Sequence, residues 1–206
     1  MTQANLAAPY KMSFAIGGLF LNESIEVVRL RDPSERWETT IVRSIESGIV
    51  SAPKIASQRR TLREIVNRLC TLSQTEIELL SATPDRSEQQ ALLWLATCRA
   101  YRFVKEFAHD VIRDRFLSYH LDLPLESFDI FFDAKAEWDE ALGRISSSTR
   151  KKLRQVLFRI MRDAEVITAD NRIQKAYLSP RLQALIAEHD PKELELFPGL
   201  TAGVGA

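Results

Sequence analysis

Positively charged side chains are concentrated in two segments of the chain. Residues 144–162 contain seven lysines and arginines and no acidic residue, and residues 54–68 contain five against one glutamate. On a helix with about 100° per residue, five of these cations fall opposite the apolar stripe between Leu153 and Met161, namely Arg150, Lys151, Arg154, Arg159 and Arg162. Such a face can neutralise DNA phosphates and release their counterions. The candidate residues for binding double-stranded DNA are therefore Arg150, Lys151, Lys152, Arg154, Arg159, Arg162, Arg59, Arg60 and Arg63.

An acidic segment gives these cations an alternative role. Residues 122–140 contain seven aspartates and glutamates against Lys135, and the chain as a whole has a formal net charge of zero. The acidic and basic segments can therefore pair within the fold, or can provide specificity and encounter rate in docking on a protein partner. Asp129, Asp133 and Glu137 are spaced four residues apart, but neither a histidine nor a matching carboxylate helix accompanies them. No metal site is predicted.

The sequence lacks a recognisable arrangement of catalytic side chains. His109, His120 and His189 stand alone, without the spacing of an HExxH-type pair. Gly17-Gly18 lacks the Lys and Ser/Thr of a phosphate loop and indicates close backbone packing instead. Neither a nucleophile elbow nor a dinucleotide fingerprint is present. We therefore predict a protein that is not an enzyme and that uses no cofactor, metal or small-molecule substrate.

Helical periodicity and capping residues predict the elements that must position the charged side chains. The 88–119 stretch has no Gly or Pro and is apolar around its girth, so it is predicted to be a bent, central, buried helix. The other predicted helices cover 15–31, a segment from Asp32-Pro33 to Gly48, 53–70, a segment opened by a Ser73–Glu76 capping box, 124–136, 138–145, 149–164, and a segment opened by Ser179-Pro180.

The order of elements in the second half is also that of a winged helix-turn-helix. Three helices at 124–164 precede a β-hairpin predicted at 166–178, and the basic helix would then enter the major groove of DNA. Arg150, Lys151 and Arg154 would lie near its entering end. The Ala164-Glu165-Val166 sequence departs from the motif, which favours glycine there, so a purely helical end remains the alternative.

Composition and length bound the organisation of the chain. The 206 residues contain 15 glycines and prolines, fewer than an all-β protein needs, which predicts an all-α fold. We predict one helical domain over 13–197, with a subdomain division near 120, a flexible leader at 1–12 and a flexible tail at 198–206. The longest apolar run, 12–21, is too short to span a membrane. Cys70 and Cys98 are predicted to be buried thiols, and the protein is predicted to be cytoplasmic, with a monomer favoured over an oligomer.

Three stretches together resemble the BrxA family, the small accessory proteins of bacteriophage-exclusion (BREX) defence systems. They are YKMSFAIGGLFLNES at 10–24, LLWLATCRAYRFVKEF at 92–107 and FFDAKAEWDEALGRISSSTRKKLRQVLFRIMRDAEVI at 131–167. The resemblance implies a compact helical bundle similar to the NusB-type fold. It also implies a role in phage defence beside other BREX proteins, namely a methyltransferase, a large ATPase and a phosphatase-like partner. The family is associated with DNA binding, and the resemblance supplies no catalytic residues.

Two functional hypotheses follow from these observations. The first is a DNA-binding accessory protein, for which Arg150→Glu with Lys151→Glu is expected to weaken duplex binding and leave the fold intact. The second is a subunit that docks on other defence components and binds no nucleic acid. A continuous positive groove joining 54–68 to 144–162 favours the first, and acids from 122–140 interleaved with the cations favour the second.

Overall fold

The described part of the chain, residues 9–202 of a computed structural model, is helical and contains no regular β-strand. This confirms the predicted all-α class, while the likeness to the NusB-type fold stays a prediction. A π-helical segment (Ala108–Arg113) and a 3₁₀ helix (Pro191–Leu196) accompany the α-helices. The α-helices are α1 (Leu21–Leu30), α2 (Trp37–Glu46), α3 (Ile55–Leu69), α4 (Gln74–Ala82), α5 (Arg86–Ala100), α6 (Arg102–Phe107), α7 (Asp114–Leu117), α8 (Glu126–Ala136), α9 (Glu140–Gly143), α10 (Ser147–Asp163) and α11 (Pro180–His189).

Helices α4, α10 and α11 begin where a side chain accepts a hydrogen bond from one of the first free backbone amides. Ser73 and Glu76 form the predicted reciprocal capping box that opens α4. The Ser146 hydroxyl accepts from the Thr149 amide at 3.3 Å, so the basic helix α10 begins at Ser147, slightly earlier than predicted. Ser179 caps α11 in the same way, with Pro180 at the first helical position.

A left-handed residue at the ends of α2 and α10 lets the last carbonyls find donors. After α2, the amides of Gly48 and Ile49 donate to the carbonyls of Ile45 and Ser44, and Gly48 has φ +67°. After α10, Glu165 takes the same position with φ +56° and no glycine is needed. The predicted terminator at Gly48 is confirmed, and the turn after α10 forms despite its non-glycine sequence.

Helix α5 lies at the centre of the core, as its all-round apolar surface predicts. Every residue from Gln89 to Cys98 is buried, and the helix contacts α1, α3, α4, α6, α10 and the 3₁₀ helix. The indole of Trp94 is fully buried and its Nε1 donates to the Leu196 carbonyl at 3.0 Å. Hydrophobic residues from both sides of position 120 belong to one continuous core cluster.

The predicted single helix over 88–119 is wrong in detail, because the chain breaks at Tyr101. Tyr101 has extended backbone angles (φ −131°, ψ 100°), and its side chain is buried. The hydroxyl donates to the carboxylate of Glu64 on α3 at 2.6 Å. Burial and this hydrogen bond raise the pKa of Tyr101 well above its ordinary value. Burial of a polar group in this way requires a satisfied partner, and the break provides the geometry for it.

The helix predicted over 15–31 is shorter than expected, and so is its successor. The backbone of Gly17 and Phe20 is left-handed (φ +69° and +58°), so α1 begins only at Leu21. Asp32 does not cap α2; its carboxylate accepts from the amide of Ser34 at 2.9 Å in a local turn. Helix α2 therefore begins at Trp37.

The hairpin predicted at 166–178 is reduced to a tight turn with isolated bridges. Ile167 pairs with Ile173, and Arg172 pairs with Asp122, both antiparallel. The amides of Ile173 and Leu123 complete the arrangement by donating to the carbonyls of Leu121 and Asn171. The second half of the chain is thus joined to the segment after α7 by main-chain hydrogen bonds.

The ends of the described chain are packed on the domain. Tyr10 donates its backbone amide to Asp139 at 3.1 Å, and the Arg102 guanidinium lies over its ring. The carbonyl of Pro198 accepts from Ala176 at 2.8 Å. Packed structure thus extends beyond the predicted limits of 13 and 197, and the rest of the predicted leader and tail, 1–8 and 203–206, lies outside the described residues.

Of the two cysteines predicted to be buried, one is buried and the other is exposed. Cys98 is buried as predicted, and burial raises its pKa well above the ordinary value. Cys70 is exposed, because it follows the end of α3 and does not lie on the apolar stripe of that helix. None of the helices within 9–202 has the length and apolar character needed to cross a bilayer.

Candidate nucleic-acid interface

A cleft of about 470 Å³ joins the two basic segments of the sequence. Helix α3 contributes Arg60 to its wall, and α10 contributes Lys152 and Arg159. The loop Ala15–Gly17 forms the remaining side. The lining therefore carries three cations and no carboxylate. We call it the basic cleft; its residues are Ala15, Ile16, Gly17, Ser57, Arg60, Thr61, Lys152, Gln155, Val156 and Arg159.

Helical spacing places the lining side chains of α10 on one face. Lys152, Gln155, Val156 and Arg159 follow one another at intervals of three, one and three residues, which is one stripe of an α-helix. Leu153 and its apolar successors are buried on another face. The amphipathic helix expected from the sequence is therefore present, with its apolar side in the core.

The loop at the base of the cleft is attached to both flanking helices. The buried Arg68 of α3 donates from Nη1 to the carbonyl of Gly18 at 2.9 Å. Asp163, at the end of α10, accepts from the amide of Leu19 at 3.1 Å. A Cβ on Gly18 would lie 2.4 Å from Oδ2 of this carboxylate, so glycine is required for the close approach. The close packing predicted for Gly17-Gly18 is thereby confirmed.

Most of the cations around the cleft are exposed and have no acidic partner. Five of them have no carboxylate within ion-pair distance in residues 9–202: Arg59, Arg60, Arg63, Lys151 and Lys152. Arg159 has a distant partner, with Nε 3.8 Å from Oδ2 of Asp163, and 65% of its side chain is exposed. Their positive charge is available to an external anion.

Two of the predicted DNA contacts are instead used inside the fold. Arg150 donates from Nε to Asp129 at 2.9 Å and from Nη2 to Asp133 at 2.9 Å, and only 23% of its side chain is exposed. Arg154 also donates to Asp129. The hydrogen bond from Arg150 lowers the pKa of Asp133 below its ordinary value. Asp129 and Asp133 of α8 are therefore intramolecular partners of α10.

This pairing changes the expectation for the Arg150→Glu and Lys151→Glu variant. A glutamate at 150 would face Asp129 and Asp133, so the substitution would disturb the contact between α8 and α10. Arg162 is likewise engaged, since its Nη1 donates to Oδ1 of Asn171 at 2.7 Å. The predicted site thus divides into engaged cations on α10 and available cations at the basic cleft.

Sequence reasoning missed the uncharged part of the cleft. Gln155 and the loop Ala15–Gly17 line it between the cations, and Ser57 and Thr61 do so on α3. Gln155 lies three residues after Lys152, so helical spacing could have identified it. The loop could not be found in this way, because its position depends on Arg68. That residue belongs to the basic segment 54–68 but is buried and bonded to the loop.

Within the described residues, no group of three or more histidines, cysteines, aspartates and glutamates is arranged to hold a metal ion. The ionisable groups of the cleft lining are two guanidinium groups and one ammonium group. Their chemistry suits the binding of phosphate oxygens, bidentate for arginine and as a point charge for lysine.

Fold and cleft together define a helical protein with an available cationic groove between two helices. The family model for BrxA matches residues 8–190, and the chain belongs to the BrxA family. The "BREX protein BrxA" of Escherichia coli O9:H4 (strain HS) is 26% identical over 185 residues, which are 87% of this chain and 85% of that relative. A crystal structure of an uncharacterized protein from Magnetospirillum magneticum has a TM-score of 0.73 at 20% identity, covering 90% of this chain and 96% of the other. That likeness supports the fold alone.

Proposed function

We propose that this chain is a non-enzymatic accessory component of a BREX phage-defence system that binds double-stranded DNA through the basic cleft. One observation carries the proposal. Two basic segments that are distant in the sequence line the same cleft, and the lining contains no carboxylate. Membership of the BrxA family and the name of the E. coli relative support the defence role. The cytoplasm is where this function would be exercised.

The chemistry of the cleft supports a nucleic-acid backbone as the ligand. Its arginines and lysine are exposed and spread over two helices, an arrangement suited to successive phosphates. Sequence-specific reading of base edges has no corresponding support, because only three of the seven uncharged lining residues, Ser57, Thr61 and Gln155, have polar side chains. Binding is therefore expected to be largely independent of DNA sequence and strongly dependent on salt.

Charge reversal tests this proposal. Arg60→Glu combined with Lys152→Glu changes one cation on each wall, and both side chains are exposed without an intramolecular partner in the described chain. Fluorescence anisotropy with a short DNA duplex at about 0.1 M salt should show the affinity reduced about 10²-fold or more, because phosphate contacts become repulsions.

A matched pair of changes controls for net charge. Arg181→Glu with Lys192→Glu makes the same charge change at exposed positions that do not line the cleft. This pair should bind the duplex much more tightly than the cleft pair. Equal affinity of the two variants, both folded by circular dichroism, would remove the basic cleft from the proposal.

The second candidate function is a protein-docking subunit that binds no nucleic acid. It is favoured by the engagement of Arg150 and Arg154 with Asp129, which removes cations from the proposed DNA face. The two candidates differ in the same experiment. A docking subunit would show no duplex binding at physiological salt for the unmodified protein, and its assembly with other BREX proteins would survive the cleft substitutions.

A further inference from the structure

A second surface, separate in its residues from the basic cleft, lies between the π-helical segment and α8. It is a groove of about 340 Å³ with an apolar floor, and it has no lining residue in common with the cleft. Its residues are Asp110, Val111, Asp114, Arg115, Ser127, Ile130, Phe131 and Ala134. We call it the α8 groove.

Large apolar side chains stand exposed along this groove. Ile130 is 71% exposed on a helix whose neighbouring Phe131 is buried in the core. Ala134 follows four residues later, and Trp138, 87% exposed, four residues after that. The spacing of four places Ile130 and Ala134 on one side of α8, and Trp138 lies in the turn that follows the end of the helix at Ala136. An exposed apolar stripe of this kind is typical of a protein-binding surface.

The lining of the groove carries two carboxylates and one guanidinium. Arg115 is engaged, because its guanidinium donates to the carbonyl of Asp122 at 2.6 and 2.9 Å. Lys135 is engaged as well, with Glu106 at 2.7 Å. In contrast, Asp114 and Glu126 are exposed, and neither takes part in an ion pair within residues 9–202. A cationic partner is therefore favoured, and the DNA backbone is disfavoured.

We propose that the α8 groove is a docking site for a basic amphipathic helix of another protein. Apolar side chains of that helix, spaced three or four residues apart, would cover Ile130 and Ala134. Its lysines or arginines would approach Asp114 and Glu126. The proposal goes beyond DNA binding, and it holds whether or not the basic cleft carries nucleic acid.

A pair of synthetic peptides tests the chemistry of this site. The first is a fluorescein-labelled amphipathic peptide with leucine on one face and lysine on the other, and the second carries glutamate in place of lysine. Ile130→Lys removes an apolar anchor and repels the cationic peptide, while Val42→Lys makes the same change at an exposed position on α2. The leucine–lysine peptide should bind the unmodified protein and the Val42→Lys variant equally, and the Ile130→Lys variant at least about tenfold more weakly.

Each other outcome of the experiment contradicts the proposal. Absent binding, equal binding of the two peptides, or equal binding to Ile130→Lys and Val42→Lys would overturn it. Competition of duplex DNA with the peptide would make the groove part of the DNA site. Sedimentation equilibrium that shows a dimer dissociated by Ile130→Lys would identify a second copy as the occupant. Duplex affinity should be unchanged by Ile130→Lys, which separates this test from that of the cleft.

Discussion

Replacement of Arg60 and Lys152 by glutamine should lower the salt dependence of duplex binding by a calculable amount. The basic cleft and its edges present six exposed cations on α3 and α10. Each phosphate contact contributes about 0.9 to the slope of log K against log salt, so six contacts give a slope of about −5 and four give about −3.6. Glutamine removes the charge and retains a polar, exposed side chain.

The slope converts directly into a measured loss of affinity. Between about 50 and 200 mM salt, six contacts correspond to a loss of about 10³-fold, and four contacts to about 10²-fold. Fluorescence anisotropy over this salt series measures both. An unchanged slope would refute the reasoning, as would an equal change for Arg181→Gln with Lys192→Gln, which carries the same charge change away from the cleft.

Two further predictions concern the ion pairs that hold the fold. Arg99→Ala removes the guanidinium that lies 2.7 Å from the buried carboxylates of both Glu76 and Glu193, so urea unfolding should show about 3–5 kcal/mol lost; a loss below about 1 kcal/mol would contradict it. Arg150 lowers the pKa of Asp133 in the folded protein. The pair therefore stabilises the fold at pH values above the pKa of an unfolded-state aspartate, near about 4. This stabilisation is lost as the pH falls through the lower pKa that Asp133 has in the folded state. Asp133→Asn should therefore reduce Tm at neutral pH and flatten its decline below about pH 4, whereas a decline equal to that of the unmodified protein would exclude this role.

Local chemistry explains why many helix ends could be predicted. Ser73 opens α4 as predicted, and α10 begins within two residues of its predicted start, because a cap depends on residues only three positions away. The break at Tyr101 could not be predicted, since it depends on Glu64, 37 residues distant in the chain. Interactions within one turn of a helix can thus be predicted from the sequence, whereas contacts between helices cannot.

The same distinction applies to the candidate site. Helical spacing identified the charged face of α10, including Lys152 and Arg159. It could not separate these from Arg150 and Arg154, because the distinction depends on Asp129 of a neighbouring helix. The docking of α8 against α10 therefore decides which cations remain available.

Photo-crosslinking tests directly whether the cleft between α3 and α10 is the surface that contacts DNA. A benzoylphenylalanine at Gln155, an uncharged exposed residue in the cleft lining, places the reactive group beside the proposed backbone path. The same group at exposed Gln74 on α4 provides the comparison. Crosslinks to duplex DNA are expected from position 155, and few from position 74. Equal crosslinking at the two positions, or none at 155 while the protein still binds DNA, would contradict it.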